Sequence, residues 1–251
     1  MVDSICLFED SDYSNLLPLV YFRPAYDLRC GILTLREKVE FYLPNIPITL
    51  QCRNYLADLV KQKNPTLLVN DIKGSSCLFI NGRVLMTTEV ARELENNNSD
   101  TIYTKGNTVV AAKLSNANLD LIKSTLSNPL KFSDLFGCNI KELEVKIINF
   151  SWDLISKNGD EIKNDFKILT SNYGTNKIIG KIYDGVHLLD KDNIFVDEGT
   201  TIKPGVVLDA ESGPIYIGKN AKIFPNSVIE GPAFIGNKTS IKIGAKIYEN
   251  T

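Results

Sequence analysis

The sequence predicts a two-part fold, a mostly parallel α/β domain over residues 1–180 followed by a short solenoid of parallel strands over 181–251. Two patterns lead there. Before residue 180, apolar runs of strand length alternate with helical patterns, which implies a sheet covered on both faces. Beyond residue 190, an aliphatic residue returns at every sixth position, a period that belongs to neither a helix nor an amphipathic strand. Composition supports a folded chain, since 43% of the 251 residues are hydrophobic and 23% are charged.

The elements follow in order. "ICLFED" reads as a short buried strand, and "TLREKVEFYL" as a helix in which Thr34 and Glu37 form a capping box. "LADLVKQKN" is a second helix, "TLLVNDI" and "SSCLFING" are strands, and "TEVARELENN" is a third helix. "TIYTKGNTVVAAKL" reads as a hairpin turning at Gly106, "NLDLIKSTL" as a helix and "LEVKIIN" as a late strand. "SWDLISKNGDEIKNDFKIL" supplies helical segments with Asn158 and Gly159 as the break, and Trp152 reads as a packing residue on its helix.

The six-residue period is carried by Val196, Ile202, Leu208, Ile217, Ile223, Ile229, Ile235, Ile241 and Ile247, with one nine-residue step after Leu208. Four positions after each comes a small or β-branched residue, such as Thr200, Ala221 or Ser227. This spacing fits a coil of three flat sides, each a short strand and a turn, with the aliphatic side chains stacked inside and the small residue at the corner. Turn residues ("PG", "GKN", "PN", "GN") fall between the aliphatic positions. The pattern resembles the hexapeptide-repeat proteins, which form a left-handed parallel β-helix. At about eighteen residues per coil the segment makes roughly three coils and stops with a strand edge open. The expectation is that the native protein continues beyond Thr251, or that an oligomer partner covers the edge.

With 28 basic and 30 acidic residues and no long run of like charge, the chain has no footprint for nucleic acid or an anionic membrane. The opening "MVDSICLFED" is too acidic and too short in its apolar run for a signal peptide, so a cytoplasmic location is expected. Cys6, Cys30, Cys52, Cys77 and Cys138 are scattered, with a single His187 to join them, so reduced and mostly buried thiols are expected.

An α/β domain leading into a hexapeptide solenoid is the architecture of many sugar-phosphate nucleotidyltransferases, and "FRPAYDLRCGILTLREKVEF" is similar to a segment of that family. Arg23 falls where the family has a phosphate-contacting lysine, Pro24 follows, and Asp27 takes an acidic slot. "CLFINGRVLM" resembles the strand that ends in Gly-Asp and presents a magnesium-binding carboxylate, with Arg83 in place of that aspartate. Two features depart from the family. The glycine-rich loop that cradles phosphates is replaced by "EDSDYSNLLPL", which has no glycine, and Arg83 can fork onto a phosphate but cannot ligate a metal. The combination of "LFED", "RP", "DLRCGILTLREK" and "INGR" resembles a divergent bacterial group described as sugar nucleotidyltransferases and likened to N-acetylglucosamine-1-phosphate uridyltransferase.

That resemblance implies transfer of a nucleotide from a nucleoside triphosphate to a sugar 1-phosphate with release of pyrophosphate. Mg²⁺ would shield the phosphates, and Arg23 and Arg83 would hold charge in the transition state. Arg23, Arg29, Asn81, Gly82 and Arg83 are the candidate phosphate and substrate contacts, and Glu9 and Asp10 are the candidate metal ligands. Plainer readings stand beside these. The arginines can be ion pairs with Asp27 or Glu37, the residues after the first strand an ordinary acidic loop, and Asn81-Gly82 a turn with positive φ. A second hypothesis keeps the fold without the chemistry, as a module that binds a nucleotide sugar and assembles through the solenoid. A third is acyl transfer by the solenoid, for which His187 precedes the coils and further coils would be needed. The resemblance implies an oligomer, with a trimer through the β-helix as one form.

Overall fold

The computed structural model describes residues 2–96, 99–126, 129–133 and 135–251. They form two compact units, one of residues up to Arg29 with Thr34–Asp153 and one of Cys30–Leu33 with Leu154–Thr251. The division therefore falls ahead of residue 180, because the helix that precedes the solenoid packs on it.

The first unit contains β1 (Ser4–Phe8), α1 (Leu35–Tyr42), β2 (Ile48–Leu50), α2 (Ala57–Lys63), β3 (Leu68–Val69), β4 (Ser76–Asn81), β5 (Val84–Leu85) and α3 (Thr88–Glu95). It continues with β6 (Thr101–Lys105), β7 (Thr108–Ser115), α4 (Asn116–Lys123), β8 (Asn139–Glu142) and β9 (Lys146–Ile147). Seven strands make one sheet in the order β3-β2-β1-β4-β7-β6-β8. β7 runs antiparallel to both its neighbours, and the other pairings are parallel.

β1 is central and every residue of it is buried, which is why it reads as an unbroken apolar run and not an alternation. Its odd and even positions feed different cores, Ile5 and Leu7 on one face and Cys6 and Phe8 on the other. The five cysteines are free, with all but Cys138 buried, and burial pushes the Cys52 and Cys77 thiols up to about 12. The α1 capping box is present: the Thr34 hydroxyl accepts from the Glu37 N–H at 3.1 Å, and Glu37 accepts from the Thr34 N–H at 2.7 Å. The hairpin turns at Gly106, whose φ is +56°. From β1 the chain builds β2 and β3 to one side and then returns to β4 on the other. The carboxyl ends of β1 and β4 therefore flank the point where strand order reverses, the place where open α/β sheets bind ligands.

α5 (Ser151–Ser156) and α6 (Asn158–Thr170) follow. The break between them is at Lys157, and Asn158 and Gly159 begin α6. Trp152 is 61% exposed and stacks on Phe150 with ring centroids 4.6 Å apart; it is no core packing residue. In the second unit β10 (Lys181–Ile182), β13 (Thr201–Ile202), β16 (Lys222–Ile223) and β19 (Ser240–Ile241) form one parallel ladder. A second ladder is β11 (His187–Leu189), β14 (Val207–Asp209), β17 (Val228–Glu230) and β20 (Lys246–Ile247), and a third is β12 (Ile194–Val196), β15 (Ile215–Ile217) and β18 (Ala233–Ile235). Three parallel ladders around one core are what a β-helix requires.

The periodic aliphatic residues line that core, with Ile202, Leu208, Ile217, Ile223 and Ile229 fully buried. Corner residues satisfy backbone groups there: the Thr200 hydroxyl donates to the Gly218 carbonyl at 2.6 Å and accepts from the Ala221 N–H at 2.9 Å. His187 belongs to β11, so it lies on the first coil and not ahead of it. On the third ladder Phe195, Tyr216 and Phe234 form an outward aromatic row, which Ile162 and Phe166 of α6 cover together with Ile32. The segment Cys30–Leu33 docks on the same helix. Ile32 and Leu33 donate their N–H groups to Asp165 Oδ2 at 2.8 and 3.0 Å, and Gly31 donates to Asn158 Oδ1 at 2.8 Å. A Cβ at Gly31, whose φ is +87°, would strike Asp165 and the Glu161 backbone. The "CGIL" stretch is thus accounted for by packing.

Candidate functional site

Three residues after β1 set up the site, and they point to different partners. Glu9 is buried: its carboxylate accepts from the Ala25 N–H at 2.9 Å and from Arg53 Nε at 3.0 Å, and its own N–H donates to Gln51 Oε1 at 2.7 Å. Arg53 also donates to the carbonyls of Val20 at 2.7 Å and Arg23 at 3.0 Å, and its guanidinium lies 4.2 Å from the Tyr13 ring centroid. Burial pushes the Glu9 carboxyl up, and Arg53 acts against it. The pair anchors the loop that carries Arg23. Sequence reasoning passed over Arg53; the available signal was that an acidic residue ending a wholly apolar strand needs a cation from a neighbouring strand end.

Asp10 caps the 3-10 turn at Ser11–Leu16 by accepting from the Asp12 N–H at 3.2 Å. Its carboxylate also receives Asn81 Nδ2 at 2.7 Å and both Nε and Nη2 of Arg83, at 3.2 and 2.6 Å. Asp12 accepts from the same Nη2 at 3.1 Å. Asn81 donates further to the Val109 carbonyl at 3.0 Å and accepts from the Arg83 N–H at 3.1 Å. Asp10, Asn81 and Arg83 therefore come together between the ends of β1 and β4. Gly82 lies beside them without positive φ. Its role is clearance, since a Cβ there would sit 3.0 Å from the Tyr26 ring and 3.2 Å from the Phe8 carbonyl.

The remaining candidates lie apart. Arg29 pairs with Glu37 at 3.6 Å on the surface, and Arg36 pairs with Asp27 at 3.4 Å, which is the plain ion-pair reading. Burial pushes the Asp27 carboxyl up, opposed chiefly by Arg36. The Arg23 side chain is exposed and makes no hydrogen bond or ion pair among the described residues.

Beside the Asp10 network a cleft of about 370 Å³ opens between β1, the β6–β7 turn and residues 130–133. Its wall carries Ser11, Asn107 and Thr108 as hydrogen-bonding groups and Lys131 as a cation with no ion pair among the described residues. Phe132, packed edge-on against Phe8 at 5.1 Å, is part of the lining. Lys131 was not singled out in the sequence, because a lysine in a loop looks like any solvated charge.

The two candidate magnesium ligands are both engaged by other residues in this structure. Glu9 is engaged by Arg53 and a backbone amide, and both Asp10 oxygens are taken by Arg83 and Asn81. Among the described residues, no group of three or more His, Cys, Asp or Glu side chains is arranged to hold a metal ion. Arg83 likewise has every one of its N–H groups engaged by an acceptor of the protein.

A family profile described as sugar nucleotidyl transferase matches residues 5–173. The chain belongs to the sugar nucleotidyl transferase family. A comparison with curated proteins gives no match. The family match runs from β1 to just past α6, so it takes in the Asp10 network, the Arg53 anchor and the cleft, and it stops before β10. Family membership implies a nucleotide and a sugar phosphate as the substrate classes. No helix among the described residues is long and apolar enough to cross a membrane.

Proposed function

We propose that the chain is a sugar-1-phosphate nucleotidyltransferase of the kind that includes N-acetylglucosamine-1-phosphate uridyltransferase, acting in the cytoplasm. A phosphate oxygen of the sugar 1-phosphate attacks the α-phosphorus of a nucleoside triphosphate, the bond to the β-phosphate oxygen breaks, and pyrophosphate leaves. The cleft at the strand-reversal edge carries this reading, because it offers hydrogen-bonding groups for hydroxyls and, in Lys131, a cation for phosphate that has no ion pair among the described residues. Arg23, exposed on the loop held by Arg53, is the second phosphate contact. No side chain needs to become covalently attached.

The test is pyrophosphate release over a matrix of nucleoside triphosphates and hexose 1-phosphates. Lys131→Ala and Arg23→Ala should each lower kcat/KM by about 10- to 100-fold, the value of a charge-assisted hydrogen bond. Turnover unchanged in both variants would remove the reading. A binding module without turnover is the competing reading, favoured by the closed Asp10–Arg83 network. It predicts ligand binding in the cleft with no pyrophosphate from any pair.

The oligomer we infer is one of head-to-tail contacts between β-helices. Within the second unit α6 covers the third ladder, and the other two ladders supply the faces for this contact. One carries Lys181 and Lys222 in register along its ladder with Lys203 and Lys242 alongside, none of them in an ion pair among the described residues. The other borders a cleft of about 470 Å³ lined by three carboxylates, Asp209, Glu230 and Glu249, against one lysine, Lys163, with Lys246 exposed on the same ladder. Unlike faces on one subunit close a ring only by heterologous contact. K203E/K222E and D209K/E230K variants should each run as monomers in light scattering, and their equimolar mixture should recover a mass above the monomer. Either variant retaining the native mass would dismiss this arrangement.

A further inference from the structure

The Arg83 side chain is 1% exposed, yet it is surrounded by oxygen. Nε donates to Asp10 Oδ1 at 3.2 Å, and Nη2 donates to Asp10 Oδ2 at 2.6 Å and Asp12 Oδ2 at 3.1 Å. Nη1 donates to the Ile148 carbonyl at 3.2 Å and Asn149 Oδ1 at 3.0 Å. A guanidinium has five N–H groups, so each has its own acceptor here. The acceptors come from two separate segments, after β1 and after β9, and the arginine itself comes from a third, leaving β4.

Two carboxylates, an amide oxygen and a backbone carbonyl are the donor set of a hard divalent cation. In this chain the cation at their centre is covalently attached. We propose that Arg83 is a built-in counter-ion that fills an oxygen cage otherwise suited to a divalent metal, so that the protein's own residues hold no metal at this edge of the sheet. The physical reason is charge. Asp10 and Asp12 both touch the same nitrogen, and two carboxylates so close need a cation between them. A tethered guanidinium supplies it at every metal concentration. It also leaves Asp10 fixed beside the cleft whether or not a ligand is bound, and leaves phosphate charge to cations outside the cage.

An ordinary buried ion pair would share the geometry but not the consequence of removing the arginine. With Arg83→Ala the cage loses its cation and gains the volume of the side chain, and an ion with waters to complete its shell can enter. The experiment is Mn²⁺ titration of the whole chain, followed by electron paramagnetic resonance and by thermal unfolding. The native protein should bind no Mn²⁺ tighter than about 1 mM, the weak end of oxygen-ligand sites. Arg83→Ala should bind one Mn²⁺ at least about 100-fold more tightly than the native chain, as removal of a contacting positive charge implies. Its Tm should rise with Mn²⁺, and adding Asp10→Asn should abolish both effects. Arg83→Met, which keeps the volume without the charge, should gain little.

Tight Mn²⁺ binding by the native chain that Asp10→Asn removes would overturn the proposal, as would a folded Arg83→Ala variant that gains none. If Arg83→Ala folds only with a cation present, refolding in Mn²⁺ or in millimolar guanidinium is the supporting result. Failure of both cations to rescue it counts against the cage. None of these readouts depends on turnover, so the outcome stands apart from the nucleotidyltransferase reading.

Discussion

Arg53→Ala should destabilise the first unit by about 3–5 kcal/mol, the cost of leaving a buried charge without its partner. Glu9 and Arg53 are 0% and 5% exposed at their side chains and meet at 3.0 Å. The arginine also ties down the carbonyls of Val20 and Arg23, so its loss frees the loop as well as stranding the carboxylate. The pH dependence identifies the cause. Burial already raises the Glu9 carboxyl, and removing Arg53 takes away its chief opposing charge, so the folded pKa rises further. Below the unfolded value of about 4.3 the carboxyl is protonated in both states and the charge penalty vanishes. As pH rises toward the folded value, the unfolded chain releases its proton first, and the variant loses stability relative to the native chain. Urea unfolding at pH 4 and pH 7 should therefore show a smaller gap at pH 4. An equal gap at both pH values would mean that the loss comes from the loop contacts alone. Arg53→Ala combined with Glu9→Gln should recover part of the stability, with a coupling of about 1 kcal/mol or more.

This pair also marks where the sequence stops being legible. The solenoid was readable because one physical requirement, an aliphatic residue inside every side of every coil, repeats along the chain, and Ile202, Ile223 and Ile229 all fall inside. β1, β4 and the α1 capping box were readable because burial and capping are local. β2 was missed as a three-residue strand bounded by prolines and polar residues, and β8, "NIKE", because all four of its residues are exposed and it has no apolar pattern. The candidate site suffered from the same limit more severely. Glu9, Asp10 and Asp12 look alike as three acids in a loop, but Glu9 turns to Arg53 and the other two turn to Arg83. Those partners are more than forty residues away in sequence, and nothing local announces them. Arg83 illustrates the point: the residue type was right for a phosphate, and the neighbours consume every donor it has.

Ile223→Ala is the second large expected effect, about 2–5 kcal/mol against the second unit. Ile223 is fully buried and stacked in register between Ile202 and Ile241. Its neighbours cannot close over the gap, because backbone bonds fix the spacing of the rungs on both sides: Lys203 N–H to the Ile223 carbonyl at 3.0 Å and Phe224 N–H to the Ile241 carbonyl at 3.0 Å. The void therefore persists, and its cost adds to the lost transfer energy of the side chain. Ile247→Ala is the control. Ile247 has the same place in the repeat but is only half-buried in β20, so it should cost clearly less. Because each coil touches only its neighbours, damage at β16 should spread along the stack. Amide exchange in β13 through β20 should accelerate together in Ile223→Ala, whereas Ile247→Ala should affect β17 and β20 alone. Equal losses for the two variants would mean that the stacked aliphatic core is not the source of stability here and that the α6 cover over Phe195, Tyr216 and Phe234 supplies it instead.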